Sequence, residues 1–444
     1  MKLRNVDETI CALCTPPGKS SVAVIRVSGN KALDICQKIF TKELKKPRYF
    51  YFGKILKNQS LIDEALCVYF KGPSSFTGED VVEFHVHGGP AVVAAMLAAL
   101  SACAGTRVAE PGEFTKRGFL NGKMDLTAAE GVADLIEAET EAQRRQAQRQ
   151  AAGALGAIYE AWRRRLMTRL AHVEAAMDFP DEDLPETLLD DAIQDLLGLK
   201  DELILHLDDS AIGERLRTGI EVAIVGPPNA GKSSLLNALA GRDAAIVSEV
   251  AGTTRDVVEV RMDLAGLPVT LSDTAGLRDA SEEIEAEGIR RARERLARAD
   301  IRVIVFDVEY PPIGGWEAFT TSDSMTVLNK MDRVEDAPQV PVGDLGQFEM
   351  SLRTGAGLGA FVEALTAVVQ ARFDGGAAPV ITRARHREAV AECLAALERS
   401  LAASLPELMA EDLRLAMRTL GRITGRVDVE DLLDIVFRDF CIGK

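Results

Sequence analysis

Between residues 226 and 353, five short segments combine residue types that can hold a nucleotide and cleave its terminal phosphate. Residues 226–233 read Gly-Pro-Pro-Asn-Ala-Gly-Lys-Ser, the spacing G-x-x-x-x-G-K-S, after an apolar run at 221–225 and before a helical pattern at 234–240. In that context backbone N–H groups and the helix N-terminus cradle phosphates, the Lys232 ammonium reaches the outer phosphate oxygens and the Ser233 hydroxyl ligates magnesium. Asn229, Ala230, Gly231 and Ser234 complete the candidate cradle. Gly252, Thr253 and Thr254 stand where a phosphate-sensing loop belongs, with Thr254 as a second magnesium ligand. An apolar stretch at 269–272 ends in Asp273-Thr274-Ala275-Gly276, whose carboxylate would hold the metal's water shell and whose glycine would sense the γ-phosphate. A further stretch at 325–328 ends in Asn329-Lys330-Met331-Asp332. The Asp332 carboxylate can accept hydrogen bonds from guanine N1 and the exocyclic amine, a pair of donors adenine does not present. Ser351-Leu352-Arg353, after a short strand, offers backbone N–H groups to the base oxygen. This ordered set predicts a magnesium-dependent hydrolase that takes GTP rather than ATP.

The residue after Asp-Thr-Ala-Gly is Leu277, which cannot orient water as the glutamine of Ras-type proteins does. The missing contacts are large effects, since an arginine finger alone is worth about 10³–10⁵ in rate. The Asn229 carboxamide suits a monovalent cation near the bridge between the outer phosphates, and Glu282, Glu283 and Glu285 lie just beyond. A solvated helix start explains those glutamates equally well, so the residues alone leave their role open.

These segments require an α/β scaffold. Apolar strands alternate with helices over residues 219–376, the pattern of a mostly parallel sheet with crossovers. The crossover between 308 and 325, interrupted by Pro311-Pro312 and Gly314-Gly315, leaves room for a helical turn or two. Residues 1–122 mix β-rich runs at 22–27 and 81–86 with Gly/Pro turns and one or two helices. Residues 123–218 are helical, broken near 178–183, and helical sequence returns over 377–444. The expected fold class is multidomain: an α+β N-terminal domain, a helical domain in two parts, and a Ras-like P-loop domain inserted between them.

A net charge of −16 argues against a broad nucleic-acid-binding face and confines any RNA contact to a local patch or a shared one. Seven scattered cysteines, among them a lone Cys11/Cys14 pair, form no disulfide framework. The apolar run at 91–105 is too short to span a bilayer and reads as a buried helix, so a cytoplasmic protein is expected.

The flanks add a resemblance. Thr15-Pro16-Pro17-Gly18, Ile25-Arg26-Val27-Ser28-Gly29, Ser75-Phe76-Thr77-Gly78-Glu79-Asp80, His87-Gly88-Gly89, Pro111-Gly112-Glu113-Phe114-Thr115, Asn121-Gly122-Lys123 and the final Phe440-Cys441-Ile442-Gly443-Lys444 are similar to the MnmE (TrmE) family of tRNA modification GTPases. The resemblance spans essentially the whole chain. It implies an N-terminal domain (1–122) that forms a homodimer and binds formyl-tetrahydrofolate. It also implies a flavoprotein partner, MnmG (GidA), in a heterotetramer-type complex. Together they would add a carboxymethylaminomethyl or aminomethyl group at carbon 5 of the wobble uridine of certain tRNAs. By position, Arg26, Glu83, Lys123 and Lys444 would contact the folate. Potassium would sit at Asn229, Ser248, Val250 and Thr253, in a nucleotide-contacting loop that also holds Glu249 and Ala251. Glu285 would orient water, Arg278 would lie in the second switch, and Cys441 would serve modification. Ser351-Leu352-Arg353 departs from the usual Ser-Ala-Lys/Arg, Ser248 stands where Thr is common, and Lys19-Ser20-Ser21 replaces a basic-Gly-Gly run. The competing readings are a ribosome-assembly or RNA-binding GTPase, which usually carries a basic module not visible in this acidic chain, and a nucleotide-gated scaffold.

Overall fold

The computed structural model describes residues 8–178, 188–242, 244–246, 259–273, 299–311, 316–373, 380–427, 433, 436–438, 440 and 443. In chain order these form β1 (Thr9–Leu13), β2 (Ser20–Ser28), α1 (Ala32–Ile39), β3 (Phe50–Lys57), β4 (Ser60–Phe70), β5 (Val81–Gly88), α2 (Pro90–Ser101), β6 (Thr106–Val108) and α3 (Glu113–Leu120). Five helices follow: α4 (Leu126–Glu137), α5 (Glu141–Ala151), α6 (Ala154–Asp178), α7 (Leu188–Asp208) and α8 (Ser210–Thr218). Then come β7 (Ile220–Val225), α9 (Lys232–Ala240), β8 (Ala245–Ile246), β9 (Glu259–Leu264), β10 (Leu267–Asp273), β11 (Ile301–Asp307), β12 (Ser324–Asn329) and β13 (Gln347–Glu349). The last helices are α10 (Leu358–Phe373), α11 (Ala384–Ala402) and α12 (Pro406–Thr424). The chain divides into one compact unit of residues 1–133, 150–189 and 402–444 and a second of residues 134–149 and 190–401.

The first unit is built on a six-stranded sheet in the order β3-β4-β5-β2-β1-β6, antiparallel except where β6 joins β1. Its strands read with period two: Val82, Phe84 and Val86 of β5 are buried, while Glu83, His85 and His87 lie on the opposite face. Helix α1 closes the core with Ala32, Ile35, Cys36 and Ile39, the i, i+3, i+4, i+7 stripe of an amphipathic helix. Helix α2 takes in the apolar run at 91–105 only as far as Ser101 and is half-buried, through Met96, Ala99 and Leu100. Helices α6 and α12 pack together, with Tyr159, Leu166 and Leu170 buried on the first and Leu413, Ala416 and Leu420 buried on the second. Arg414–Glu174 at 2.6 Å and Arg426–Glu160 at 3.0 Å fix these two helices antiparallel. Residues after α12 return to the first strand. Leu433, Phe437 and Phe440 cluster with Leu126 and Ala129, and the Cys14 thiol donates to the Gly443 carbonyl at 3.0 Å. Gly443 has φ 98°, and a Cβ there would lie 2.1 Å from the Leu13 carbonyl oxygen, so only glycine fits this seat.

The second unit centres on a seven-stranded sheet in the order β13-β12-β11-β7-β10-β9-β8. Five neighbouring strands from β13 to β10 run parallel, and β9 and β8 add antiparallel pairings at one edge. The central strands are almost uninterrupted runs of Val, Ile, Leu and Phe, as burial on both faces demands. Strands β9 and β10 join through Ala265-Gly266, both at positive φ, a two-residue hairpin whose Gly266 N–H donates to Asp263. The described part of the 308–325 crossover holds a single 3-10 turn at Glu317–Phe319, in line with the trimmed connection expected there. Among the described residues no helix is long and apolar enough to cross a membrane.

Candidate functional site

Two segments that carry phosphate and base chemistry leave the same ends of β7 and β12, parallel strands separated by β11, where loops of an open α/β sheet form ligand crevices. Strand β7 runs into the glycine-rich loop, and α9 starts at Lys232, two residues earlier than its sequence pattern requires. Two glycines shape the loop by close approach. A Cβ on Gly226 would meet the Val305 carbonyl oxygen at 2.1 Å, and one on Gly231 would meet the Asn329 amide nitrogen at 2.2 Å. Asn229, at φ 65°, accepts a left-handed turn that asparagine tolerates better than most residues. Lys232 is largely buried, and its ammonium donates to the carbonyls of Gly226 and Pro227, each at 2.9 Å. It therefore lies folded over the loop, positioned to exchange carbonyl partners for phosphate oxygens. Ser233 and Ser234, in the first turn of α9, are exposed.

The base loop is tied to the phosphate loop through one side chain. Asn329 is buried; its amide donates to the Ala230 carbonyl at 2.9 Å and its oxygen accepts from the Leu352 N–H at 3.2 Å. Three sequence-predicted segments are thus joined by a single residue. Asp332 accepts from the Ser351 hydroxyl at 2.5 Å and pairs with Arg353 at 3.0 Å. The Ser351 hydroxyl, aided by Arg353, holds the Asp332 carboxyl below its ordinary range, so it is an anion and an obligate acceptor. Because the Arg353 side chain is 76% exposed, a guanine amine can displace it from that carboxylate at little cost. Lys330, at φ 72°, contacts the Asp307 carboxylate at the end of β11. Neither the Asn329 tie nor the Ser351 hydroxyl was read from the sequence, because both depend on loops distant in the chain. Asp273 closes β10 beside Ile224 of β7, which puts its backbone next to the phosphate loop. Ser248, Glu249, Val250, Ala251, Gly252, Thr253, Thr254, Thr274, Ala275, Gly276, Arg278 and Glu285 lie outside the described residues.

A second candidate site lies in the first unit. Arg26 of β2 and Glu83 of β5 are cross-strand partners, and the guanidinium donates to the carboxylate at 2.8 Å. The Arg26 guanidinium lies between the rings of Phe76 and Phe114, 5.4 and 5.5 Å from their centroids. Lys123 donates to the Pro73 carbonyl at 2.9 Å, which puts it on the same 73–80 loop that supplies Phe76. Lys444 and Cys441 lie outside the described residues, but Gly443 is seated beside Leu13, whose partner on β2 is Ile25, next to Arg26. The loop itself is pinned by a buried network. Ser28 donates to Glu79 at 2.7 Å, Arg117 bridges Glu79 and Glu113, and Arg107 grips Glu113 through two bonds of 2.7 Å. Burial pushes the Glu113 carboxyl up, but Arg107, the Glu110 N–H and Arg117 outweigh it and hold it below its ordinary value. Among the described residues no group of three or more His, Cys, Asp or Glu could hold a metal ion.

Comparison with known proteins places these sites in context. The MnmE helical domain family matches residues 126–441, and the family described as GTP-binding protein TrmE N-terminus matches residues 9–123. The tRNA modification GTPase MnmE of Parvibaculum lavamentivorans is 54% identical over 443 residues, covering 98% of this chain and 100% of that protein. Proteins of the same name from Paramagnetospirillum magneticum (50% identical; 99% of this chain, 100% of that protein) and Rhodospirillum rubrum (49% identical; 98% and 99%) are similar across the same span.

Proposed function

Because this chain belongs to the MnmE (TrmE) family, we propose that it is a tRNA modification GTPase whose hydrolysis of GTP drives modification at carbon 5 of the wobble uridine. The observation that carries this reading is the single Asn329 bridge that joins phosphate loop and guanine loop, in a chain related along 98% of its length to proteins of that name. Asn229, Ala230, Gly231, Lys232, Ser233 and Ser234 cradle the phosphates, with Lys232 moving from the Gly226 and Pro227 carbonyls onto the outer oxygens. Asp332 accepts from guanine N1 and the amine, while the Ser351-Leu352-Arg353 backbone receives the base oxygen. Ser233 and Thr254 would hold magnesium, with Asp273 on its water shell; the ion supplies charge neutralisation at the β and γ oxygens. Asn229, Ser248, Val250 and Thr253 would hold potassium, which supplies the charge an arginine finger gives elsewhere. Leu277 takes no part; Glu285 orients the attacking water and Arg278 acts in the second switch.

Residues 1–122 form the folate-binding and dimerising domain, 123–218 and 377–444 the helical domain, and 219–376 the G domain. Glu83 suits the amino-amide edge of a pterin, and Arg26, Lys123 and Lys444 suit the glutamate tail of formyl-tetrahydrofolate. The reaction needs the flavoprotein MnmG, and Cys441 acts in the transfer to tRNA in the cytoplasm.

Mass spectrometry of wobble nucleosides tests the reading. The modified uridine disappears when the protein is absent, and returns with wild type but not with Cys441→Ser. Unchanged modification with altered ribosome profiles would point to ribosome assembly instead. At the base site, Asp332→Asn exchanges an acceptor for a donor and loses two charge-assisted bonds. GTP affinity should then fall about 100-fold and preference move towards xanthosine triphosphate; unchanged GTP binding would refute the assignment. Equal GTP turnover in sodium and potassium would remove the monovalent-cation role.

A further inference from the structure

The overall acidity hides one strongly basic segment. Residues 31–57 hold eight Lys or Arg against two Asp or Glu, +6 in a chain of −16, so the remainder carries −22. The second half is more extreme: residues 45–57 contain five cations, the four aromatics Tyr49, Phe50, Tyr51 and Phe52, and no acid. Strand β3 is the edge of the six-stranded sheet, and the cationic loop before it runs back along that edge. The Thr41 N–H donates to the Lys54 carbonyl at 3.0 Å, and the Lys46 N–H donates to the Tyr51 hydroxyl at 2.9 Å. Strand register puts Phe50 opposite Val68, Phe52 opposite Leu66 and Lys54 opposite Glu64, on the sheet face turned away from the α1 core. Tyr49, Phe50 and Phe52 are 54%, 50% and 61% exposed. The Lys46 ammonium lies 6.0 Å from the Tyr49 ring centroid. Lys45 and Lys54 pair with Glu43 at 3.0 Å and Glu64 at 3.5 Å, contacts open enough to water to yield to a polyanion.

We propose that this surface is a docking site for tRNA, with Lys45, Lys46 and Lys54 on phosphates and Phe52, Phe50 and Tyr49 against unstacked bases. The proposal rests on the reading of the chain as a tRNA-acting enzyme. Lysines on an edge strand do protect against sheet-to-sheet pairing, but that role does not require exposed rings between them. Rings without cations would suit a second protein copy; here a twofold contact would set like charges against each other. Single-stranded RNA satisfies both features, since bases stack on sheet-face aromatics while Lys and Arg release counterions from the backbone. The acidic remainder of the chain repels RNA elsewhere and so orients it onto this face.

The test is titration of the full-length protein with a fluorescent, unmodified tRNA transcript over a salt series. Lys45→Ala/Lys46→Ala/Lys54→Ala should make the slope of log affinity against log salt shallower by about 2 to 3. Phe52→Ala should weaken binding about tenfold at fixed salt and leave the slope unchanged. GTP hydrolysis without tRNA should be unaltered in both, which also reports correct folding. If wild type binds tRNA and the triple variant binds with the same slope, the surface assignment falls and the functional reading stands. If Phe52→Ala dissociates a dimer while tRNA affinity holds, the face is a self-association surface and the proposal is wrong. If wild type binds no tRNA at all, the tRNA-acting reading fails, and the proposal with it.

Discussion

Arg117 sits with its side chain 7% exposed between Glu113 and Glu79, the latter a residue of the 73–80 loop. Removing the cation leaves two carboxylates without their shared partner in a place water hardly reaches. Arg117→Ala should therefore cost about 3–5 kcal/mol in the first unit, measured as faster hydrogen exchange at β5 amides and an earlier urea transition. A loss below about 1 kcal/mol would mean that the loop relaxes to hydrate both acids. At this scale the residues proposed to hold nucleotide were legible because each stands in a short segment of fixed spacing. Asp332 needed only its neighbours in the chain. Ser351, which holds Asp332 as an anion, and Arg117, which holds the 73–80 loop, act across 19 and 38 residues respectively, a separation no local pattern encodes.

Helices and strands carry a different kind of information. The β-rich run at 81–86 and the apolar runs at 221–225 and 325–328 made β5, β7 and β12 readable, whereas α1 was covered only by the expectation of one or two helices in residues 1–122. The β3–β4 hairpin was not foreseen, because its exposed aromatics and lysines obscure the alternation of an edge strand. Helix α7 adds a pH dependence. Burial, with a smaller contribution from His386, lowers His206 from 6.5 to about 4, although Asp209 pulls the other way. The unfolded chain thus binds a proton below about pH 6.5 that the folded helix refuses until about pH 4, so stability is full above the first value and declines towards the second. The loss amounts to about 3 kcal/mol for the second unit. Urea midpoints compared at pH 7 and pH 4.5 should fall more in wild type than in His206→Gln; parallel declines would assign the acid sensitivity elsewhere.

For the molecule as a whole, bulk composition predicted an acidic protein with at most a local RNA contact, and averaging concealed where that contact can be. A charge of +6 over residues 31–57 is visible only when the chain is read in windows. The return of residues 402–444 to the first unit was equally hidden, since nothing in the spacing of Leu433, Phe437 and Phe440 names Leu126 as their neighbour. Gly443→Val tests that return. With φ 98° and 2.1 Å to the Leu13 carbonyl oxygen, valine cannot be seated, and Ala12 and Leu13 amides should exchange faster while nucleotide affinity is retained. Unchanged exchange would show that the seat contributes nothing to β1.

That return also sets a timetable. A ribosome makes about 5–20 residues per second, so roughly 15–50 s separate residue 133 from residue 402. During that interval Leu126 and Ala129 have been synthesised without the phenylalanines that cover them. The nucleotide-binding unit can close while its neighbour still waits, so a prematurely terminated chain would bind GTP yet present an uncovered apolar patch to chaperones and proteases.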